Sequence, residues 1–304
     1  MKNRKTKSFV ARREVAHQPP LKPLLAPRVE AKPQRLIVVL GMHRSGTSAI
    51  TKSLELMGVG LGVNLHPAGF DNPTGFWEDR ECIDINDELL NYFSSAYDRL
   101  NLAWNEVKVD AKISELRLKA VQLISRKLLE SQGIWGFKDP RTCRLLNFWN
   151  DVFFAVGCEV SFVIAVRNPA SVAASLKKRN SIPEEKSYFL WLQHVLPPLI
   201  SLKDYRKVVV DYDEFLDNPY SQVVRISSSL GLPLPDSQST LIKNFENNFL
   251  ENRLRHTSFT EAALALDCRA PSMVAVTYNL LHRLAKDEVS LESSQVQDLS
   301  LIHI

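Results

Sequence analysis

Two glycines five residues apart, Gly41 and Gly46, lie in the stretch "RLIVVLGMHRSGTSAITKSL" (35–54), with Arg44 and Ser45 between them and Thr47 and Ser48 directly after. A phosphate-binding loop of the form G-x-x-x-x-G-K-[ST] sets backbone amides around phosphates, a lysine on the terminal phosphate and a hydroxyl on magnesium. Here Thr47 stands at the lysine position and the nearest cation is Arg44. The loop is therefore rich in hydrogen-bond donors but lacks the lysine of a triphosphate site. A second constellation, "VIAVRNPASVAASLKKR", ends an apolar run in Arg167, opens a helix at Pro169 and places Ser175 eight positions after the arginine. An arginine at a strand end offers a planar fork to a phosphate. A hydroxyl two turns into the following helix can approach the same group.

Phosphoryl transfer from ATP normally uses Mg2+ to neutralise the triphosphate. A sulfuryl group carries less charge, so its transfer from 3'-phosphoadenosine 5'-phosphosulfate (PAPS) can rely on protein cations and amides, with no metal. The loop resembles the 5'-phosphosulfate loop of the sulfotransferase family, a Lys or Arg followed by [ST]-G-T-[ST], carried here by Arg44, Ser45, Gly46, Thr47 and Ser48. The Arg167, Pro169, Ser175 spacing is similar to the family's 3'-phosphate element. A third segment, "WGFKDPRT", resembles the K-D-P element of tyrosylprotein and many bacterial sulfotransferases. That resemblance implies that Lys138 contacts the transferring sulfuryl group and that Asp139 and Arg141 hold the turn and each other. "VVVDYDEFLDNPYSQVVRISSSLGLPLP" is similar to the family's closing strand, turn and helix, so the likeness runs from about 35 to 235.

In-line attack by an acceptor hydroxyl needs a base for its proton and cations for the charge growing on the bridging oxygen. Arg44, Lys138 and the amides near Thr47 and Ser48 suit the second need. Base candidates are His43, His66, Glu78, Asp79 and Glu81, and Glu78 in "NPTGFWEDRE" is preferred because flanking aromatics can raise its pKa. The competing reading makes Glu78 a surface cap of the next helix. His43 is expected to orient the loop, and His66 to face solvent. The chain departs from the family in having no tryptophan after Thr47-Ser48 and no R-K-G-x-x-G-x-W segment. "NRLRHTS", with Arg253, Arg255 and His256, either covers the cofactor instead or is a helix exit.

These residues need a scaffold, and apolar runs alternating with helical patterns supply one. "RLIVVLG", "GIWGFK", "EVSFVIAVR" and "KVVVDYD" read as strands. Helices are expected from Thr47 to Gly58, around 80–97 and 112–131, from Thr142 to Gly157, and from the prolines at 169, 183 and 219; one more is expected at about 272–286. Strands separated by helices predict a three-layer α/β/α fold with a central parallel sheet, P-loop NTPase-like.

With 304 residues and 45% apolar content, the chain can bury one large core. Residues 1–34 read as a disordered basic tail and 35–304 as the sulfotransferase domain. Up to Arg35 there are ten Lys/Arg and two acids, whereas the remainder carries 28 and 32. An acidic body speaks against nucleic-acid binding, and a membrane-surface contact by the tail is left open. No run approaches the ~18 apolar residues of a membrane span. Cys82, Cys143, Cys158 and Cys268 include no C-x-x-C pair, so neither a zinc site nor a disulfide framework is expected. The expectation is a cytoplasmic PAPS-dependent sulfotransferase, with PAP as product, acting on a hydroxyl of a glycan or glycolipid. The alternatives are a Mg-dependent P-loop small-molecule kinase or NTPase and a catalytically inactive PAP-binding protein.

Overall fold

The computed structural model describes residues 33–70, 72–101, 110–250 and 259–303. The chain divides into two units, Met1–Lys32 and Pro33–Ile304. The first unit lies outside the described residues, and with it all of the expected tail save residues 33 and 34. Four parallel strands, β1 (Arg35–Leu40), β2 (Ile134–Lys138), β3 (Glu159–Val166) and β4 (Arg206–Asp211), form a sheet in the order β2-β1-β3-β4. Helices α1 (Thr47–Ser53), α2 (Arg80–Tyr92) and α3 (Ala111–Glu130) lie between β1 and β2, and α4 (Leu146–Val156) between β2 and β3. Helices α5 (Pro169–Asn180) and α6 (Glu184–Ser201) follow β3. After β4 come α7 (Tyr212–Asp217), α8 (Pro219–Leu230), α9 (Thr240–Asn244), α10 (Glu261–Ala265), α11 (Ser272–Ala285) and α12 (Ser294–His303).

Strand alternation assigns each residue of β1 and β3 to a face. Leu36, Val38 and Leu40 of β1, with Phe162 of β3, pack on α2, α3 and α4, and Ile164 and Val166 continue that face onto α5, α6 and α11. Ile37, Val39, Val163 and Ala165 point the other way, onto α1 and α8. Both faces are covered, which is why the strands read as unbroken apolar runs. Each fully buried aliphatic side chain of β1 contributes roughly 1.5–3 kcal/mol of burial.

The two faces have a consequence for ligand binding. The chain leaving β1 enters α1 on one face, and the chain leaving β3 enters α5 on the other, although β1 and β3 are neighbours. Their carboxyl ends therefore part and leave a crevice, the topological switch point at which open α/β sheets bind ligands.

Local signals account for most element ends. Gly58 and Gly157 close their helices in the left-handed region, and Pro169 and Pro219 open α5 and α8. Several expectations are corrected. The helix expected to reach 97 stops at Tyr92, where Ser94 takes a positive φ of 51°. The helix expected from Thr142 begins as a 3-10 turn, Pro140–Arg144, because Asp139 caps that turn and α4 proper starts at Leu146. The turn expected after β4 is helix α7, capped by Asp211, and the C-terminal region holds α10 and α12 besides the one helix anticipated.

Candidate active site at the carboxyl ends of β1, β2 and β3

The loop from Gly41 to Gly46 is shaped by contacts that exclude side chains at its two glycines. A Cβ on Gly41 would lie 2.6 Å from the Ala165 carbonyl oxygen, and one on Gly46, at φ 76°, would lie 1.8 Å from the Tyr212 ring. Between them Arg44 also takes a positive φ, 69°, a conformation that costs a non-glycine residue free energy and is over-represented at functional sites. It turns the arginine across the crevice. Nε of Arg44 donates to Oγ of Ser175 on α5 at 2.9 Å, and Nη1 of Arg167 donates to the Arg44 carbonyl at 3.1 Å. Arg167 is buried and its guanidinium lies 5.0 Å from the centre of the Tyr212 ring, which packs it as well as charging the site. Arg44, Arg167 and Ser175 thus form one cationic, donor-rich group. Ser45 adds a hydroxyl, 1% exposed, whose oxygen has no hydrogen-bond partner among the described residues. Such an orphaned polar atom in an anion loop fits a phosphate-bearing ligand.

Thr47, buried, and Ser48 open α1. The Ser48 hydroxyl donates to the Phe76 carbonyl and accepts from the Asn72 amide, both at 3.2 Å. These bonds tie segment 72–78 to the start of α1, directly after the glycine loop. Trp77, at φ 57°, is pinned by an indole bond to the Thr74 carbonyl and by Lys52 4.2 Å over its ring.

The next residue is Glu78, 5% exposed, and it accepts from Lys138 Nζ at 2.6 Å. Lys138 ends β2 and is itself 2% exposed. The expected aromatic neighbours are present in sequence, but the contact that defines Glu78 is this ion pair. Arg141 stands 3.9 Å from its second oxygen. Glu78 does not cap the next helix; Asp79 does, accepting from the amides of Glu81 and Cys82. Asp79 is also paired with the buried Lys127 at 2.6 Å, so the turn carrying Glu78 is fixed from below.

Asp139 and Arg141 hold each other through two bonds to Arg141 Nη1, at 2.9 and 3.0 Å. Burial pushes the Asp139 carboxyl above its usual range, against the pull of Arg141. Behind it Trp149 donates to Asn86 Oδ1 at 2.8 Å, and Asn86 donates to Asp139 at 2.9 Å. A buried polar network of this kind rigidifies the group it surrounds. Asn86 and Lys127 were not singled out from sequence; both are polar residues on the buried stripes of α2 and α3, which was the available signal.

The structure therefore brings Arg44, Arg167 and Ser175 together, and separately pairs Glu78 with Lys138. Of the remaining base candidates, Asp79 is occupied as a cap, Glu81 turns to Arg126, and His66 is exposed against the Phe76 ring. Arg253, Arg255 and His256 lie outside the described residues. Among the described residues no cluster of His, Cys, Asp and Glu is arranged to hold a metal ion, the four cysteines are free thiols, and no helix is long and apolar enough to cross a membrane.

The chain is similar in fold to bacterial sulfotransferases. It matches the sulfotransferase domain of the Synechococcus PCC 7002 olefin synthase at 14% identity and a TM-score of 0.42, covering 89% of this chain and 94% of that one. A sulfotransferase from Mycobacterium avium matches at 17% identity and a TM-score of 0.41, over 90% and 76% of the two chains. One from Mycobacterium tuberculosis H37Rv matches at 15% identity and 0.40, over 85% and 78%. No family model and no curated protein matches the sequence. The chemistry assigned to the site consequently rests on its own residues.

Proposed function

We propose that the protein is a PAPS-dependent sulfotransferase that transfers a sulfuryl group to an acceptor hydroxyl, with a glycan or glycolipid as acceptor. The observation that carries this reading is the convergence of Arg44, Arg167 and Ser175 beside a glycine loop that has no lysine at the triphosphate position. In it, Arg167 and Ser175 bind the 3'-phosphate, and the amides and hydroxyls of Ser45, Gly46, Thr47 and Ser48 bind the 5'-phosphosulfate. Bound PAPS supplies an activated sulfuryl group whose leaving group is 3',5'-ADP.

The residues of the site divide the work that remains. Arg44 lies in the loop bend, where its charge offsets the charge that grows on the leaving oxygen. Lys138, at the end of the neighbouring strand, faces the sulfuryl oxygens. Glu78 takes the acceptor proton, and its hydrogen bond to Lys138 holds the carboxylate in one orientation. The Asp79–Lys127 pair and the Asp139–Arg141–Asn86 network keep Glu78 and Lys138 from relaxing towards solvent. A domain spanning 35–304, preceded by a basic tail, remains our reading of the chain.

The test is release of 3',5'-ADP from PAPS, with radiolabelled sulfate followed into a panel of glycans and glycolipids in EDTA. Transfer to a hydroxyl without added metal is expected. ATP-dependent phosphorylation of the same panel, seen only with Mg2+, would favour the kinase reading.

A further inference from the structure

Between the hydroxyls that open α1 and the carboxylate of Glu78 stands Asn72, to which the transfer reaction as described gives no role. Its side-chain amide is engaged on both sides. Nδ2 donates to the Gly75 carbonyl at 2.7 Å and to Ser48 Oγ at 3.2 Å, and Oδ1 accepts from the Thr74 hydroxyl at 3.1 Å. The backbone of Asn72 exchanges two bonds with Gly69, at 3.1 and 3.2 Å. His43, the other loop side chain near enough in sequence to serve this segment, instead packs its ring against Tyr97, 5.1 Å between centres.

These partners decide where the Ser48 proton goes. The Gly75 carbonyl only accepts, so the nitrogen of the Asn72 amide, and not its oxygen, faces Gly75 and Ser48. Ser48 Oγ therefore accepts from Asn72, and its single proton points to the Phe76 carbonyl at 3.2 Å. The hydroxyl then has nothing left to donate.

In the function proposed above, the same hydroxyl binds the 5'-phosphosulfate. The ionised oxygens of that group only accept, and a hydroxyl has one proton, so donation to the nucleotide replaces donation to Phe76. The bond from Asn72 is compatible with both states, because it uses a lone pair of Ser48 and not its proton.

The Phe76 carbonyl lies within a stretch that is fixed at both ends. Asn72 holds one end. At the other, the Glu78 carbonyl accepts from the His66 amide at 2.7 Å and its carboxylate from Lys138. Between them Trp77 sits at φ 57°, its indole on the Thr74 carbonyl and Lys52 over its ring. Phe76 thus contributes the one bond of this stretch for which the nucleotide competes.

We propose that Ser48 and Asn72 are positioning residues that couple nucleotide occupancy to the segment carrying the general base. The nucleotide takes the Ser48 proton and the Phe76–Trp77 peptide is released from α1. The Asn72 amide then carries the remaining hydrogen bond between the segment and Ser48. The inference rests on the transferase reading for the nucleotide and for the role of Glu78.

The test uses the full chain labelled with 5-fluorotryptophan, titrated with 3',5'-ADP and read by 19F NMR, with nucleotide affinity measured by calorimetry on the same samples. Trp77→Phe assigns the Trp77 signal. The signals of Trp135, Trp149 and Trp191, all fully buried, report that each variant is folded. The Trp77 signal is expected to move saturably with 3',5'-ADP. A direct contact of nucleotide with the indole would move it too, and Ser48→Ala separates the two causes. With Phe76 already released, that variant should lose most of the movement once it is saturated with nucleotide, whereas a direct contact would keep it. Asn72→Ala should bind 3',5'-ADP within about 3-fold of wild type, yet lower turnover at saturating PAPS about 5- to 10-fold, the loss of one neutral hydrogen bond. Placed on Ser48→Ala, it should lower turnover by less than about 2-fold further, since the two residues act through one bond. A silent Trp77 in a wild type that binds 3',5'-ADP, a movement of full size in Ser48→Ala, or an equal effect of Asn72→Ala in both backgrounds would overturn the coupling and leave the transferase reading standing. Failure of the wild type to bind 3',5'-ADP would overturn both.

Discussion

Replacing Glu78 by glutamine separates a catalytic role from a structural one, because the buried pair makes both effects large and differently reversible. Glu78 and Lys138 have side chains 7% and 3% exposed and are 2.6 Å apart. Neutralising the carboxylate leaves the Lys138 charge without its partner in a dry setting, which costs about 3–5 kcal/mol. At roughly 2–4 °C per kcal/mol for a chain of this size, the melting temperature should fall by roughly 10 °C. Adding Lys138→Met removes the stranded charge, and a neutral pair of similar volume should recover most of that loss. Catalysis should behave otherwise. As the general base, Glu78 is worth about 10²- to 10⁴-fold in turnover, and the double variant, which also lacks the Lys138 ammonium that faces the sulfuryl oxygens in this reading, cannot regain it. The assay is 3',5'-ADP release from PAPS with an acceptor that the wild type uses, well below the melting temperature of each variant, alongside thermal unfolding and 3',5'-ADP titration. Nucleotide affinity should change less than about 3-fold in Glu78→Gln, since a neutral hydrogen bond to Lys138 remains possible and the phosphate residues are untouched. Turnover within tenfold of wild type in Glu78→Gln, or turnover that returns with stability in the double variant, would refute the assignment of Glu78 as base.

Two further predictions concern the phosphate group and the buried imidazole. Arg167→Gln should weaken 3',5'-ADP by about 2–3 kcal/mol, or about 30- to 150-fold, while leaving 5'-AMP nearly unchanged, as expected for a charge-assisted contact to the 3'-phosphate; equal weakening of both nucleotides, by calorimetry, would remove Arg167 from that role. His194 is held down to about 3 and returns to the ordinary value near 6.5 on unfolding, so the unfolded chain binds a proton that the folded chain refuses between those limits. The stability that this refusal represents is intact above about pH 6.5 and is lost at about 1.4 kcal/mol per pH unit as pH falls towards 3. Chemical unfolding between about pH 7.5 and 5 should show a shallower loss for His194→Gln than for wild type, with equal slopes contradicting a neutral buried ring.

What could be read from the chain was what is local. The four strands, the helix-opening prolines and the closing glycines are contiguous signals, and they specify the parallel three-layer scaffold. The segments around 41–48 and 167–175, each a single strand-loop-helix unit, were equally legible as structure. Their partners were not. Arg44 meets Ser175 across 131 positions, and Glu78 meets Lys138 across 60, because α1 and α5 leave the sheet on opposite faces and β2 lies beside β1. The pairing of Glu78 with a lysine replaces an aromatic setting that adjacent residues suggested. Residues 93–97 were read as the end of a helix, and the chain there is instead held by Arg144, whose partners are backbone carbonyls and so leave no mark in residue type.

The most direct test of the central claim is calorimetric titration of the full chain with 3',5'-ADP and with ATP, each in EDTA and then in Mg2+. Tight binding of 3',5'-ADP that is indifferent to metal is expected, with weak binding of ATP under both conditions. Tight ATP binding that appears only with Mg2+, with 3',5'-ADP weak throughout, would contradict the claim.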